Sequence, residues 1–432
     1  MNTPVEPPMV WESAARPLST VTWRRRRLGW RVLEAIWKLA LGALCGMSAV
    51  LSLLIVGWAL RASEREVVRS WWRRRPERRP RESFAQFAEA SGRTVELAAW
   101  PSWFTGDPGP GVYGWRDRLW QRAFGGLLAN VRLGIQSAFN VAVFTLPGGM
   151  LWTFGWYAGW MNSFHKGYEN YFVGISVFGV GIVLFIAAML YVPMALARQA
   201  STGNWRSFYD FKLVWTLIQR RWLGQFILAL LALGLGLILS VLRAIPQFLP
   251  QMNAHLADST ALEQLHWIER YFLATALFGF AAFVLFRLAA ARVYAGALLE
   301  AVQRGVITQD QLADREWEIL NQLGLIHQRP TPSHHAFFRL VRWLGTRVGR
   351  TVGGFATIII WFLFVFNVMT VEFLNFHQAG RGWWNQPLIQ LPWFDYTPGH
   401  LREEAAKEVQ GERDYEPKVG VSSPTSRGRF SR

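Results

Sequence analysis

The stretch YFVGISVFGVGIVLFIAAMLYVPMALA, residues Tyr171–Ala197, runs for 27 residues without a Lys, Arg, Asp or Glu. An α-helix rises about 1.5 Å per residue, so about 20 apolar residues cross a hydrocarbon core of about 30 Å. A strand of a transmembrane barrel would instead alternate apolar and polar residues. This stretch therefore predicts a transmembrane α-helix.

Five further apolar stretches of the same character lie along the chain. They are Leu39–Leu60, Leu133–Phe164, Trp222–Leu242, Tyr271–Phe286 and Thr351–Val371. Tyr271–Phe286 is the shortest, and it reaches spanning length if Arg287 directs its side chain to the interface. The sequence thus predicts an all-α polytopic membrane protein with about six transmembrane helices and additional interfacial amphipathic helices.

Composition indicates which molecules surround the chain. Its 24 Trp concentrate where apolar stretches meet polar sequence, which is typical of the headgroup zone. The net charge of +17 comes from arginines beside the predicted spans rather than from a separate basic domain. This pattern predicts contact with the lipid bilayer and anionic lipid headgroups, and argues against nucleic acid. Cys45 is the only cysteine, which excludes an intrachain disulfide, and we expect no cofactor and no metal.

Changes in composition divide the chain into six segments. These are a disordered N-terminal tail (1–22), a first anchor with an Arg-rich linker (23–132), a four-span core (133–304), a helical linker (305–350), a sixth span with an interfacial aromatic segment (351–400) and a disordered C-terminal tail (401–432). Basic residues outnumber acidic ones in 195–221 and 287–350, so the positive-inside rule places these linkers and 61–132 in the cytoplasm, with both termini outside. We expect the inner membrane of a bacterium.

Three polar segments are predicted to be helical. Arg61, Arg65, Arg69 and Arg73 recur every four residues opposite Val67, Val68 and Trp71. This pattern predicts a helix on the bilayer surface, or alternatively one on the protein's own surface. Segment 198–221 carries Trp205, Phe208, Phe211 and Trp215 and predicts an interfacial helix. Thr308 and Gln311 have capping-box spacing, and the stripe of Leu312, Trp317, Leu320 and Leu323 that follows needs a partner surface.

The second apolar stretch is too long for one straight span. It has 32 residues and contains Pro147, Gly148 and Gly149 in succession. Proline removes a helical hydrogen bond and clashes with the preceding turn, so we predict a break near Pro147. The alternative is a kinked helix with an interfacial extension.

A candidate ligand site combines this break with the polar turn that follows. His165, Lys166 and Glu169 lie within five residues. A broken helix leaves backbone groups free for a ligand, Lys166 attracts anions and His165 titrates near neutral pH. A metal site would need three or four ligands, so none is predicted. The alternative is an interfacial turn whose polar groups bond to one another.

Charged residues at the ends of the spans were weighed as functional groups. Arg198, Arg243, Arg287, Arg292 and Glu372 all lie at predicted rims, where we expect their side chains to reach the headgroups. Amides on apolar helices, at Gln136, Asn140, Asn367 and Asn375, predict hydrogen bonds between helices.

Met189–Arg221 resembles part of a family of uncharacterised bacterial and archaeal multipass membrane proteins. In that family a span ending at proline leads to an ARxAxTG motif, seen here as ARQASTG (197–203), and to an aromatic-acidic FYDF, seen at 208–211. The resemblance covers roughly 152–242 and implies a class of membrane protein. It implies no catalytic residue, because no activity is established for the family.

Three function classes follow from these observations. The chain contains none of the common nucleotide-binding, hydrolase or zinc-protease motifs and shows no carboxylate at mid-depth in a span. These features favour a non-enzymatic component, namely a scaffold, an assembly factor or an accessory subunit bound to other membrane protein subunits. The alternatives are a channel or transporter that uses the break near Pro147–Gly149, and a lipid-acting enzyme that uses His165, Lys166 and Glu169.

Overall fold

The structure, a computed structural model, describes residues 28–76, 83–90, 100–105, 115–157, 171–253, 256, 258–326, 336–374 and 384–415. Every regular element in these ranges is helical, so the predicted all-α class is confirmed. The α-helices are α1 (Leu28–Gly46), α2 (Ala49–Trp72), α3 (Phe84–Ala90), α4 (Trp115–Gly155), α5 (Tyr171–Thr202), α6 (Phe211–Arg220), α7 (Trp222–Met252), α8 (Ala261–Gln303), α9 (Asp314–Gln322), α10 (Ala336–Leu374) and α11 (Gly399–Tyr415).

Five of these helices are long and apolar enough to cross a membrane. The spanning portions are Leu119–Gly155, Phe172–Thr202, Trp222–Pro246, Ala261–Gln303 and Trp343–Glu372. They belong to α4, α5, α7, α8 and α10, and they correspond to five of the six predicted spans. The chain is therefore consistent with an integral membrane protein.

The remaining predicted span, Leu39–Leu60, is not one helix. α1 ends at Gly46 and α2 begins at Ala49, with Ser48 in an extended conformation between them. Carbonyl groups at a helix C-terminus need hydrogen-bond partners from outside the helix. Here the amide of Phe394 donates to the Gly46 carbonyl at 2.8 Å, so another part of the chain stabilises the interruption.

The arginine-bearing part of α2 packs on protein and not on a bilayer surface. Val67, Val68 and Trp71 are all buried, and the Trp71 indole donates to the Ala295 carbonyl of α8 at 2.9 Å. The bilayer-surface prediction is therefore wrong, and the alternative of a helix on the protein's own surface is correct. Protein covers the apolar face because α8 continues as far as Gln303.

The order of contacts shows how the spanning helices are oriented. α4 and α5 are antiparallel, since Gly148 lies against Phe185 whereas Gly155 lies against Phe178. α7 is antiparallel to α8, because the Tyr271 hydroxyl donates to the Leu242 carbonyl at one end and Gly224 meets Val293 at the other.

The bundle consequently has two distinct ends. At the end that contains Arg198, called the Arg198 end, α5 and α8 terminate and α7 and α10 begin, with Trp222 lying against Gly353. At the opposite Arg243 end, Arg243 of α7 pairs with Glu372 of α10. Segments 195–221 and 287–326 thus share the Arg198 end, as the predicted topology requires, and the side of the membrane they face stays a prediction.

Segment 198–221 is more broken than predicted. Residues through Thr202 belong to α5, then a 3₁₀ turn spans Trp205–Tyr209 and α6 follows. The capping box forms, with the Thr308 amide donating to Gln311 at 3.4 Å, but it starts a 3₁₀ turn, and α9 begins only at Asp314.

The apolar stripe near α9 finds its partner within this chain. Leu312, Leu320 and Leu323 are buried in the main hydrophobic cluster, while Trp317 stays exposed. The partner surface that this stripe requires is therefore the protein's own core, except at Trp317.

Residues 384–398, named the inserted segment, connect α10 to α11 without forming a helix and run inside the bundle. Tyr396 meets Phe272 near the start of α8, and the Ile389 carbonyl meets Arg287 fifteen residues further along α8. At about 1.5 Å per residue, the segment extends roughly 22 Å along that helix. It was predicted as interfacial. It is buried instead because irregular backbone at membrane depth must be covered by protein.

The C-terminal tail predicted as disordered is helical through Tyr415. Leu401 and Ala405 of α11 are buried, and the Glu408 carboxylate accepts from the Ala261 and Leu262 amides at 3.0 Å each. A carboxylate on the free amides of a helix N-terminus is stabilising, so α11 is held by capping α8. The predicted N-terminal tail 1–22 lies outside the described residues.

Candidate functional site

The predicted break at Pro147 does not occur. α4 is a continuous 41-residue helix that includes Pro147, Gly148 and Gly149. A Cβ atom on Gly148 would lie 2.7 Å from the Phe185 amide nitrogen, so this glycine permits close packing against α5. Packing against a neighbouring helix lets a spanning helix tolerate proline, since the neighbour compensates for the lost hydrogen bond. The helix is continuous through Pro147, as the alternative requires, and the interfacial extension of that alternative lies outside the described residues.

The second half of the predicted site, His165, Lys166 and Glu169, lies outside the described residues. Its binding role stays a prediction. The half in α4 belongs to a continuous helix, so the broken backbone on which the predicted binding relied does not form.

Residues of the ARQASTG and FYDF stretches build a buried ionic cluster at the Arg198 end. The Arg198 guanidinium pairs with Glu316 and donates to Asp210 at 3.2 Å and to the Tyr294 hydroxyl at 3.3 Å. Ser201 and Tyr294 both donate to Glu316, the latter at 2.7 Å. Arg198 and Glu316 are almost inaccessible, so these bonds fasten α5, α8 and α9 together.

Arg243, Glu372 and Arg287 are bonded to protein and do not extend to headgroups. Arg243 pairs with Glu372, which is 1% exposed, and its guanidinium lies 4.1 Å from the centre of the Tyr396 ring. Arg287 is buried and donates to the Ile389 carbonyl at 2.7 Å. The prediction that these side chains reach the headgroups is therefore wrong for Arg243, Glu372 and Arg287.

At the Arg198 end the same prediction is wrong for Arg198 but is not contradicted for Arg292. Arg198 belongs to the ionic cluster, and Arg292 donates to Glu66 of α2 at 2.7 Å. Glu316, which is distant in sequence, packs against Arg198 and keeps it within the protein, whereas the Arg292 side chain stays 53% exposed, so its predicted rim placement is not contradicted.

Of the four predicted amide contacts between helices, those of Asn140 and Asn367 are present, whereas Gln136 makes no hydrogen bond to another described helix. Asn140 donates to Gln199 at 3.1 Å, and Asn367 donates to Ser240 at 2.8 Å. Asn375 lies outside the described residues.

The candidate functional site is the polar region where the inserted segment meets Arg243, Glu372 and Arg287. Gln390 donates to the Thr145 hydroxyl of α4 at 2.8 Å, and Asn385 exchanges two 3.0 Å bonds with the backbone of Leu391. A partly open cavity of about 30 Å³ lies beside Arg243, lined also by Ser240, Gln386 and Tyr396. This volume holds about two water molecules.

A carboxylate of the inserted segment, Asp395, bonds to Arg402 near the start of α11. Burial alone would raise the pKa of Asp395, but hydrogen bonds from Arg402, at 2.7 Å, and from the Thr397 amide bring the pKa below its ordinary value. Asp395 is therefore ionised at neutral pH and bonded to both neighbours.

Sequence reasoning missed this site for a specific reason. Arg243, Arg287 and Glu372 were all identified, but the amide side chains of residues 385–390 lie in a short segment without helical or strand periodicity. The available signal was their composition. The amides Asn385, Gln386 and Gln390 lie on both sides of Leu388 and Ile389, and the whole group lies between two aromatic pairs. Within the described ranges, no three His, Cys, Asp or Glu side chains converge as metal ligands.

Comparison with known proteins identifies no relative. No family model, no curated protein and no solved structure matches this chain. The resemblance to the uncharacterised membrane family accordingly stays a prediction.

Proposed function

We propose that the protein is a non-enzymatic integral membrane component, acting as a scaffold, an assembly factor or an accessory subunit of a membrane complex. The observation that carries this proposal is the inserted segment, which occupies the space between α4, α7 and α8. Its partners would be the bilayer, anionic lipid headgroups and other membrane protein subunits, without nucleic acid. We place it in a bacterial inner membrane, with the Arg198 end in the cytoplasm because of that end's basic residues.

The inserted segment supports this proposal because it closes the interior with bonds made within one chain. Arg287 is satisfied by the Ile389 carbonyl and Gln390 by Thr145, so these buried polar groups need no solute. The cavity left beside Arg243 measures about 30 Å³, far below the roughly 300–1,000 Å³ of typical small-molecule sites.

An exposed apolar surface for lipid or another membrane protein exists on α1. Trp30, Leu33 and Trp37 recur at helical spacing and remain 64%, 56% and 56% exposed. Exposed apolar surface of this kind marks contact with a membrane or a protein partner.

A channel or transporter is the second candidate, favoured by the Arg243–Glu372 pair. Ionisable residues within a membrane bundle are functional candidates by default, and Arg243 of this pair lines the small cavity. In that case the inserted segment would be the gate, and Glu372 would carry the charge change.

Flux measurements on the purified full chain in liposomes separate the two candidates. We expect wild-type protein to give proton and small-ion flux no higher than protein-free liposomes, and to retain other membrane chains at fixed stoichiometry when purified in mild detergent. Flux from the wild type that Glu372→Gln abolishes, and that the exposed-residue control Glu318→Gln leaves unchanged, would overturn the proposal in favour of transport.

A further inference from the structure

Five arginines from different elements gather at the Arg198 end of the bundle. They are Arg74, Arg220, Arg221, Arg304 and Arg350, and they form the arginine cluster. Glu300 lies among them, 2.7 Å from Arg304 and 3.4 Å from Arg221. A Cβ on Gly296 would lie 2.8 Å from the Arg74 guanidinium and 2.9 Å from the Arg221 guanidinium. Both guanidinium groups therefore lie against the same point of α8.

The cluster carries more positive charge than its own carboxylate can balance. Burial, and then repulsion from Arg304 and Arg350, lower the pKa of Arg220. Burial and repulsion from Arg221 lower the pKa of Arg74 in the same way. Within the described residues, neither Arg220 nor Arg350 has a salt-bridge partner. Such a concentration of like charge favours binding of an anion.

A groove opens directly beside this charge. It has a volume of about 410 Å³ and lies between α5, α6, α7 and α10, with Arg350 and Gln219 among its lining residues. Its apolar walls come from Leu190, Ile218 and Ile358, and its volume falls within the range of small-molecule sites.

The groove also contains a polar group without a partner. Gln225 is 4% exposed, and its amide nitrogen makes no hydrogen bond within the described part of the chain. This buried donor lines the groove, so an acceptor entering from outside would satisfy it.

We propose that this groove binds one anionic phospholipid, with the headgroup phosphate at Arg220 and Arg350 and an acyl chain along Leu190, Ile218 and Ile358. Arginine recognises phosphate through paired donors, and basic pockets between membrane helices bind acidic headgroups. A lipid is favoured over a soluble anion or an acidic peptide because three walls of the groove belong to candidate membrane spans. This site is independent of whether the protein is a scaffold or a transporter.

The headgroup half of the proposal is tested by native mass spectrometry of the delipidated full chain, titrated with phosphatidylglycerol or phosphatidylcholine. We expect one phosphatidylglycerol to bind more tightly than phosphatidylcholine. Each arginine near an anionic headgroup contributes roughly fivefold, so Arg220→Gln/Arg350→Gln should weaken binding about 25-fold. The control is Arg206→Gln, because Arg206 lies at the same end but stacks on Trp205, outside the groove. Its affinity should match the wild type.

The acyl-chain half is tested with a matched pair on α10. Ile358→Trp should fill the groove and release the lipid, whereas Ile359→Trp, at an exposed neighbour that does not line the groove, should not. Thermal unfolding in detergent must show each variant folded. Any of four results would overturn the proposal. The first two are equal affinity for phosphatidylcholine and unchanged binding in both Arg220→Gln/Arg350→Gln and Ile358→Trp. The others are an equal loss of binding with Arg206→Gln, and displacement of the lipid by inorganic phosphate or an acidic peptide.

Discussion

Glu316 shows how single residues hold this membrane protein together. It is fully buried in α9, accepts hydrogen bonds from Ser201 and Tyr294, and pairs with Arg198. Removing one partner of a buried ion pair leaves an uncompensated charge, which typically destabilises a protein by about 3–5 kcal/mol. Asp210 would remain near Arg198, so we place this case near the lower bound.

We predict that Glu316→Leu destabilises the folded chain by about 3 kcal/mol. Thermal and denaturant unfolding in detergent would measure this loss. The control Glu318→Gln changes an exposed carboxylate of the same helix and should unfold like the wild type.

The double variant Arg198→Met/Glu316→Leu removes both charges and should recover most of the lost stability, since apolar replacement of a whole buried pair is often neutral. A double variant less stable than Glu316→Leu alone would contradict the assignment of this pair.

Residue pairing was the part of the site that sequence could not predict. Arg198 and Asp210 stand twelve positions apart near a recognisable motif, but Glu316 lies 118 residues beyond Arg198 in a polar helix. A single sequence carries no signal for a contact at that separation, so rim placement was the only available interpretation for Arg198. Asn140 and Asn367 were predictable because an amide on an apolar helix needs a partner on the next helix.

At the scale of elements, helices approach closely where glycines face backbone. A Cβ on Gly57 of α2 would overlap the Asn130 carbonyl of α4, and one on Gly134 would overlap the Leu53 carbonyl. Backbone atoms cannot rotate away as a side chain can. The absence of both Cβ atoms therefore sets the distance between α2 and α4.

We predict that Gly57→Ala separates α2 from α4 and destabilises the protein by about 1–3 kcal/mol, the usual effect of overpacking. Unfolding in detergent provides the measurement. Gly234→Ala is the matched control, since a Cβ at Gly234 meets no atom within 4 Å. Equal stability of the two alanine variants would contradict the close approach of these helices.

The elements that sequence predicted correctly are those whose signal is local. Uninterrupted apolar length identified α4, α5, α7, α8 and α10, because hydropathy needs no knowledge of neighbours. The interruption after Gly46 depends on a bond from Phe394, and α11 depends on the amides that Glu408 caps. Continuity through Pro147 depends in the same way on packing against α5. Each of these features is decided by a tertiary contact that no local pattern contains.

At the scale of the whole molecule, the five spanning helices alternate in direction. α4, α7 and α10 run from the Arg198 end to the Arg243 end, and α5 and α8 run back. From this arrangement we predict an odd number of crossings for these helices, with the residues just before and just after α8 on opposite sides of the membrane.

Labelling of single cysteines in sealed membranes tests this most directly. In a Cys45→Ala background, Asp258→Cys and Gln309→Cys place one exposed thiol before and one after α8. We predict that a membrane-impermeant maleimide reaches Asp258→Cys from outside, and reaches Gln309→Cys only after the membrane is opened. Labelling of both positions from the same side would show that α8 does not cross the membrane and would contradict this account.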